Sequence, residues 1–279
     1  MTKEEQGKHT SRKMNILIIY QFCTFGGVER AVLNRARTFR KHHQNVNISV
    51  GYLRDHGALH SFQTYIHTNE LDDHLSAFLL REEAMPDLAQ YDFVFIIDTP
   101  QLFKHTLHAG NVFIECHTPT FKNRQYLERL PENIRGILVP SHAFKSILQE
   151  EFQGLPLIFV LPNPVAEEFF EIPAPVNDRI YSAAPLAYFA RVDDELKNFP
   201  ETASIFELFA ADENIMFAVI GRGVGDAHLL CSLENKKILG KTFLRDQIGF
   251  DAAPAFARMI KDHRGLFLSS SKGESFGLS

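Results

Sequence analysis

Apolar residues in this chain fall into short runs of two kinds. A buried strand reads as about four to eight consecutive apolar positions, and an amphipathic helix as apolar positions three to four apart. The run at 16–22 predicts a strand, and 28–41 a helix with Val28, Val32, Ala36 and Phe39 on one face. The pattern continues with strands at 46–53 and 62–67, a helix at 71–83 and a strand at 93–97. Asp98 is placed to cap the next helix, with Pro100 in its first turn. Strands at 112–116 and 134–139 follow, then Ser141 as cap of a helix at 144–152, and a strand at 157–161. Proline then becomes frequent, at 162, 164, 173, 175 and 185, beside Glu167, Glu168 and Glu171. Beyond it the pattern predicts strands at 186–190, 215–220, 237–239 and 266–269. Helices are expected at 199–210, capped by Asn198, and at 253–263.

Short apolar strands alternating with helices belong in parallel sheets covered on both faces. The expected organisation is a flexible polar tail at 1–13, an α/β domain at 14–165, a proline-rich linker at 166–185 and a second α/β domain at 186–279. The length of 279 residues agrees with two domains at about 150 residues each. A hydrophobic content of 45% excludes a disordered chain. A net charge of −5 argues against binding nucleic acid through bulk positive charge. The 25 Phe beside zero Trp read as core filler. Cys23, Cys116 and Cys231 are far apart and form no metal-ligand spacing, which fits reduced thiols and a cytoplasmic setting. The polar start has no apolar signal segment, and no run approaches the roughly 18 apolar residues of a membrane helix.

Several residues could carry chemistry. Phe25-Gly26-Gly27-Val28-Glu29-Arg30 lies between the first strand and helix, where glycines admit a ligand to the backbone and free N–H groups attract an anion. A tight turn without ligand explains it equally well. Gly221-Arg222-Gly223-Val224-Gly225-Asp226 is one residue short of a dinucleotide fingerprint, and a flexible loop is as good a reading. Arg191 and Lys197 flank the end of a strand and the start of a helix, where two cations could neutralise a diphosphate. Beside Asp193, Asp194 and Glu195 they also read as solvated charges. His117 ends a strand, where ligands bind in such sheets. Asp98 and Glu115 could be paired carboxylates for glycoside hydrolysis, if their separation were right. Near the end, Glu274 could accept hydroxyl hydrogen bonds, while the N–H groups of Phe276, Gly277 and Leu278 face an anion.

In this order the pieces resemble the retaining, nucleotide-sugar-dependent glycosyltransferases of GT-B fold, in the large family numbered four. The matching residues are Gly26-Gly27-Val28-Glu29-Arg30, His117, Val139-Pro140-Ser141, Leu161-Pro162-Asn163-Pro164-Val165, Arg191 with Lys197, Gly221-Arg222-Gly223, and Glu274-Ser275-Phe276-Gly277-Leu278. The resemblance covers residues 14–279 and implies two Rossmann-like domains, the second incomplete. It implies transfer of a hexosyl group from a nucleoside diphosphate sugar, with retention of configuration, to a glycan, lipid or protein in glycan biosynthesis. Gly26 and Gly27 would approach donor phosphate and acceptor, and Gly221 and Gly223 would line the donor site. Arg191 and Lys197 would hold the diphosphate, His117 would contact the transferred sugar, and Glu274 with Ser275, Phe276, Gly277 and Leu278 would hold the donor. The nucleotide sugar is then a co-substrate, and neither cofactor nor metal is expected.

Two positions depart from the family pattern: Ala190 and Asn198 stand where glycine is usual. A second glutamate, expected at 282, and the terminal helices fall past Ser279, so weak catalysis is expected of this chain. The rival reading from another class is a non-catalytic GT-B-like subunit or inactive fragment that binds glycan or another transferase. A second rival is a sugar-nucleotide epimerase of the same fold. Arg30, Arg37 and Lys41, with Arg35 and Arg40 nearby, predict a basic outer face on the first helix. It is either plain solvated surface or a peripheral contact with an anionic membrane.

Overall fold

The computed structural model describes residues 12–24, 26–43, 45–170 and 183–272. They fall into two compact units, one running to Val165 and one beginning at Ala166. Most of the expected tail, the centre of the expected linker and the whole segment Glu274–Leu278 lie outside the described residues.

The first unit holds β1 (Met14–Cys23), α1 (Gly27–His42), β2 (Val46–Asp55), α2 (Leu59–Thr68), β3 (Leu75–Leu79), β4 (Phe93–Ile97), β5 (Val112–Glu115), α3 (Phe121–Arg124), β6 (Ile134–Val139), α4 (His142–Glu151) and β7 (Ile158–Val160). Its strands form one sheet in the order β3-β2-β1-β4-β5-β6-β7, and every pairing is parallel. The apolar runs explain this, because each of these strands is covered by a crossover instead of a hairpin. Leu17, Ile19, Val94, Ile96, Ile114, Ile137 and Val139 pack on Phe144 and Leu148 of α4. Ser141 caps α4 as expected, its hydroxyl accepting the Phe144 N–H at 3.1 Å. Helix α1 buries Ala31, Val32, Leu33 and Ala36.

Not every phenylalanine is core filler. Phe93, Phe95, Phe113 and Phe159 form a ladder of rings across β4, β5 and β7, with Phe95 and Phe113 centroids 5.6 Å apart and Phe113 and Phe159 6.5 Å apart. The ladder crosses β6 at Gly136, where an added Cβ would lie 2.7 Å from the Phe159 ring. Phe159 is 46% exposed, and Leu157 beside it 72%.

The second unit holds β8 (Ala184–Phe189), α5 (Phe199–Leu208), β9 (Ile215–Ile220), α6 (Ala227–Asn235), β10 (Thr242–Arg245), α7 (Ala252–Asp262) and β11 (Leu266–Leu268). Its sheet, also parallel, runs β10-β9-β8-β11. Phe206 of α5 stacks on Phe217 of β9 at 4.5 Å, in a core with Leu186, Tyr188, Leu229 and Leu233. Ala187, Ala218 and Ile220 pack on Phe256 and Ile260 of α7 on the other face.

Four expectations are corrected. Residues 62–67 belong to helix α2, which buries Phe62 and Ile66 four positions apart. The expected helix at 71–83 is strand β3 followed by short turns, with Leu75 and Ala77 buried in alternation. Asp98 caps no helix; a 3-10 turn over Pro100–His105 starts from Thr99. The strand placed at 237–239 is β10, at Thr242–Arg245, because Lys237 turns the chain with a φ of 57°. Helix α6 went unforeseen, although Asp226, noted in the glycine loop, caps it by accepting the His228 N–H.

Candidate functional site

In each sheet the strand order reverses at one point: between β1 and β4 in the first unit, and between β8 and β11 in the second. Open parallel sheets bind ligands beyond the strand C-termini at such points. Of the expected site residues that the structure describes, Gly26 and Gly27 follow β1 and Arg191 and Lys197 follow β8, at the reversals, while His117 follows β5 and Gly221 and Gly223 follow β9, one strand further out.

In the first unit, Gly26 and Gly27 form the turn from β1 into α1. The turn is tied from below: Glu29, fully buried, accepts the Gly26 N–H at 2.6 Å. Burial raises the Glu29 carboxyl above the ordinary range, against the backbone hydrogen bonds it accepts. The Glu29 of the motif is therefore a builder of the glycine turn.

Beyond β4 and β5 lie Asp98 and His117. Asp98 adopts φ 40° and turns its carboxylate across to the next strand. One oxygen accepts the N–H groups of His117 at 2.8 Å and Thr118 at 2.9 Å, and the other accepts the Tyr126 hydroxyl at 2.8 Å. Burial raises the Asp98 pKa, and these hydrogen bonds only partly offset it. From the other side, Arg124 donates to the Thr118 carbonyl at 3.1 Å and to Glu151 at 3.0 and 2.5 Å. The backbone at His117 is thus held by Asp98 and Arg124 together.

Glu115 accepts a bidentate pair from Arg35 of α1, at 2.9 and 2.5 Å, and meets His117 Nε2 at 2.7 Å. Burial alone would raise its pKa, but the Arg35 guanidinium and the contact with His117 outweigh that and hold the carboxyl far below the ordinary range. Asp98 and Glu115 are therefore both engaged by internal donors, and the paired-carboxylate reading is corrected. Of the basic residues expected on the outer face of α1, Arg40 and Lys41 are exposed, whereas Arg35 points inward to Glu115. Arg37 bonds Tyr65 and Asn69, and Arg40 bonds the carbonyls of Asn69 and Glu70.

In the second unit, Arg191 and Lys197 lie on the loop after β8, and one carboxylate organises it. Asp193 accepts from Arg191 Nε at 2.8 Å and from the N–H groups of Leu196 and Lys197 at 2.8 and 2.7 Å. Partial burial raises its pKa, and these donors together bring it below the ordinary range. The Arg191 side chain stays 58% exposed. After β11, the Ser270 hydroxyl bonds the carbonyls of Lys197 and Asn198, both at 2.9 Å, and Thr202 at 2.8 Å. Loops from both sides of the reversal are thereby joined.

One of the two positions where glycine was expected, Asn198, has a structural reason. Asn198 sits at φ 50°, ψ 48°, the left-handed region that glycine favours and asparagine tolerates. Gly221, at φ 153°, runs so close to Ala190 that an added Cβ would collide with the Ala190 carbonyl. Gly223 passes Val192, with the Val192 N–H donating to the Arg222 carbonyl at 2.9 Å. These two glycines let the loops after β8 and β9 pack together.

No family model matches the chain, and no curated protein matches it in sequence. Solved structures do match. HepE of Anabaena, in complex with UDP-glucose, superposes with a TM-score of 0.69 at 15% identity, over 95% of this chain and 76% of that one. TarM, which is from S. aureus, gives 0.70 at 11% identity, over 95% and 82%. The pneumococcal O-GlcNAc transferase GtfA, with UDP and GlcNAc, gives 0.65 at 12%, over 95% and 81%. The fold is GT-B. Within it, Gly26, Gly27 and His117 of the first unit and Arg191, Lys197, Gly221 and Gly223 of the second all lie past strand C-termini.

Sequence reasoning saw Arg35 only as part of a basic face and Asp193 only as a neighbouring charge, and it missed Arg124, Tyr126 and Ser270. Arg35, Arg124, Tyr126 and Ser270 act through partners distant in sequence, which a single chain does not display, whereas Asp193 acts on residues two to four positions away. Among the described residues no cluster of three or more His, Cys, Asp or Glu is arranged to hold a metal ion. No helix among them is long and apolar enough to cross a membrane.

Proposed function

We propose that this chain is a glycosyltransferase that uses a nucleoside diphosphate sugar. The observation that carries the reading is the loop after β8. It places Arg191 and Lys197 at the strand reversal and braces them on Asp193 and Ser270, in a fold whose similar structures include one with bound UDP-glucose. A guanidinium and an ammonium at this position would take the diphosphate and stabilise it as a leaving group, without a metal. Arg191 leaves Asp193 for the phosphate, since its own side chain is mostly exposed and such a pair is of small net worth. His117 would meet the sugar. Glu274 would bind its hydroxyls and the N–H groups of Phe276, Gly277 and Leu278 a phosphate oxygen, and the transfer would proceed with retention of configuration. A glycan, lipid or protein hydroxyl would be the acceptor.

Calorimetry with UDP-glucose and other nucleotide sugars, together with donor-hydrolysis and transfer assays, tests this reading. Arg191→Ala should lower turnover by about 10²–10³, as expected for one electrostatic donor at a leaving group. Absence of binding to every nucleotide sugar, or full activity in Arg191→Ala, would remove the proposal or that residue from it.

A further inference from the structure

The ion pair between α1 and β5 does more than neutralise charge, because it ends on His117. The Arg35 side chain is 12% exposed and that of Glu115 3%, so both are withdrawn from solvent. The guanidinium fork fills one side of the carboxylate, and His117 Nε2 meets Oε1 at 2.7 Å. An ionised carboxylate can only accept hydrogen bonds, so the hydrogen in this contact must sit on Nε2. A neutral imidazole has one ring hydrogen, and Nδ1 is then left with its lone pair. Nδ1 makes no hydrogen bond among the described residues, and the side chain keeps 16% of its surface open.

We propose that Arg35 and Glu115 are positioning residues that anchor His117 through Nε2 and leave Nδ1 as an open hydrogen-bond acceptor. Arg35 orients the carboxylate, the carboxylate fixes the ring, and the Asp98 contact to the His117 N–H fixes the backbone beneath it. The ligand group suited to such an acceptor is one that brings its own hydrogen, such as a sugar hydroxyl. A bare phosphate oxygen has none to offer. Only this ligand assignment rests on the transferase reading; the state of the ring does not.

The test is the ring spectrum of His117 in the whole chain labelled with 15N-histidine, its signal assigned by loss in His117→Gln. The expected result is hydrogen on Nε2, held in a slowly exchanging hydrogen bond, and a bare Nδ1. The double variant Arg35→Met/Glu115→Leu replaces the buried pair by apolar side chains, a change that folds generally tolerate. It should abolish the slow exchange and let the ring average between tautomers. Hydrogen on Nδ1 in the unaltered chain would overturn the proposal, and so would an unchanged Nε2 signal in the double variant. If the double variant does not fold, the tautomer in the unaltered chain still decides. A separate titration with UDP-glucose keeps the two readings apart, since absence of binding counts against the transferase and not against the ring assignment.

Discussion

Asp98 and Glu115 end adjacent strands, yet their protonation pulls stability in opposite directions. Glu115 is held below the ordinary range, so the unfolded chain takes up its proton first as pH falls. Its stabilisation is complete above the ordinary glutamate pKa of about 4.3 and is lost progressively below it. Asp98 is raised, so its contribution is complete at low pH and declines as pH rises through the ordinary aspartate range toward the folded value. Glu115→Gln leaves Arg35 buried without a counter-charge and should cost about 3 kcal/mol at pH 7. The gap between urea midpoints of variant and parent should shrink at about pH 3, where Glu115 is protonated in the unfolded chain. A gap unchanged between the two pH values would mean that the ion pair is not what stabilises the parent. At Asn198 the relevant strain is in the backbone. Asn198→Ala should cost about 1 kcal/mol and Asn198→Gly almost nothing, because only the alanine resists a left-handed φ of 50°. Thermal melts of the two variants would separate them; equal losses would assign the effect to the side-chain bond with Glu201.

At the scale of elements, long apolar runs were legible and mixed ones were not. β4 consists of Phe, Val and Ile alone, and β1, β6 and β9 each carry an uninterrupted apolar run, from which their identity follows. The segment 62–67 was misread because its spacing of four, Phe62 to Ile66, lies among aromatic and β-branched residues that favour strands. In 71–83 the reverse happened: the alternation of Leu75 and Ala77 was hidden by helix-favouring neighbours. Of the candidate site, the glycines and cations could be read, because chemistry and position alone suggest them. What holds them could not, as Asp193 illustrates. Asp193→Ala should unfasten Arg191 and both backbone N–H groups while leaving the sheet intact. Its expected signature is a loss of about 1 kcal/mol in stability, for the hydrogen bonds, with a clearly larger loss of nucleotide-sugar affinity. Calorimetry against a melting curve distinguishes this from a plain structural defect, in which the two would fall together.

At the scale of the whole molecule, the phenylalanine ladder departs from a simple inside-outside pattern. The row of partly buried rings opens at Phe159, which with Leu157 beside it forms an exposed patch to which apolar probes should adhere. Phe159→Ser should reduce the fluorescence of a bound hydrophobic dye such as anilinonaphthalene sulfonate, and unchanged fluorescence would place the dye site elsewhere. The sheet order has a consequence of another kind, for the chain as it is being made. β1 is central in the finished sheet, with Ile16 registered against Ile48 on one side and Phe93 on the other. A ribosome delivers β2 and β3 well before β4. During that interval β1 is a border strand, its backbone donors and acceptors on one side answered only by water or by the tunnel wall. With no hairpin in the sheet, nothing local can shield that border sooner. Vulnerability of a nascent chain to aggregation or proteolysis therefore peaks before residue 93 emerges and drops once β4 docks.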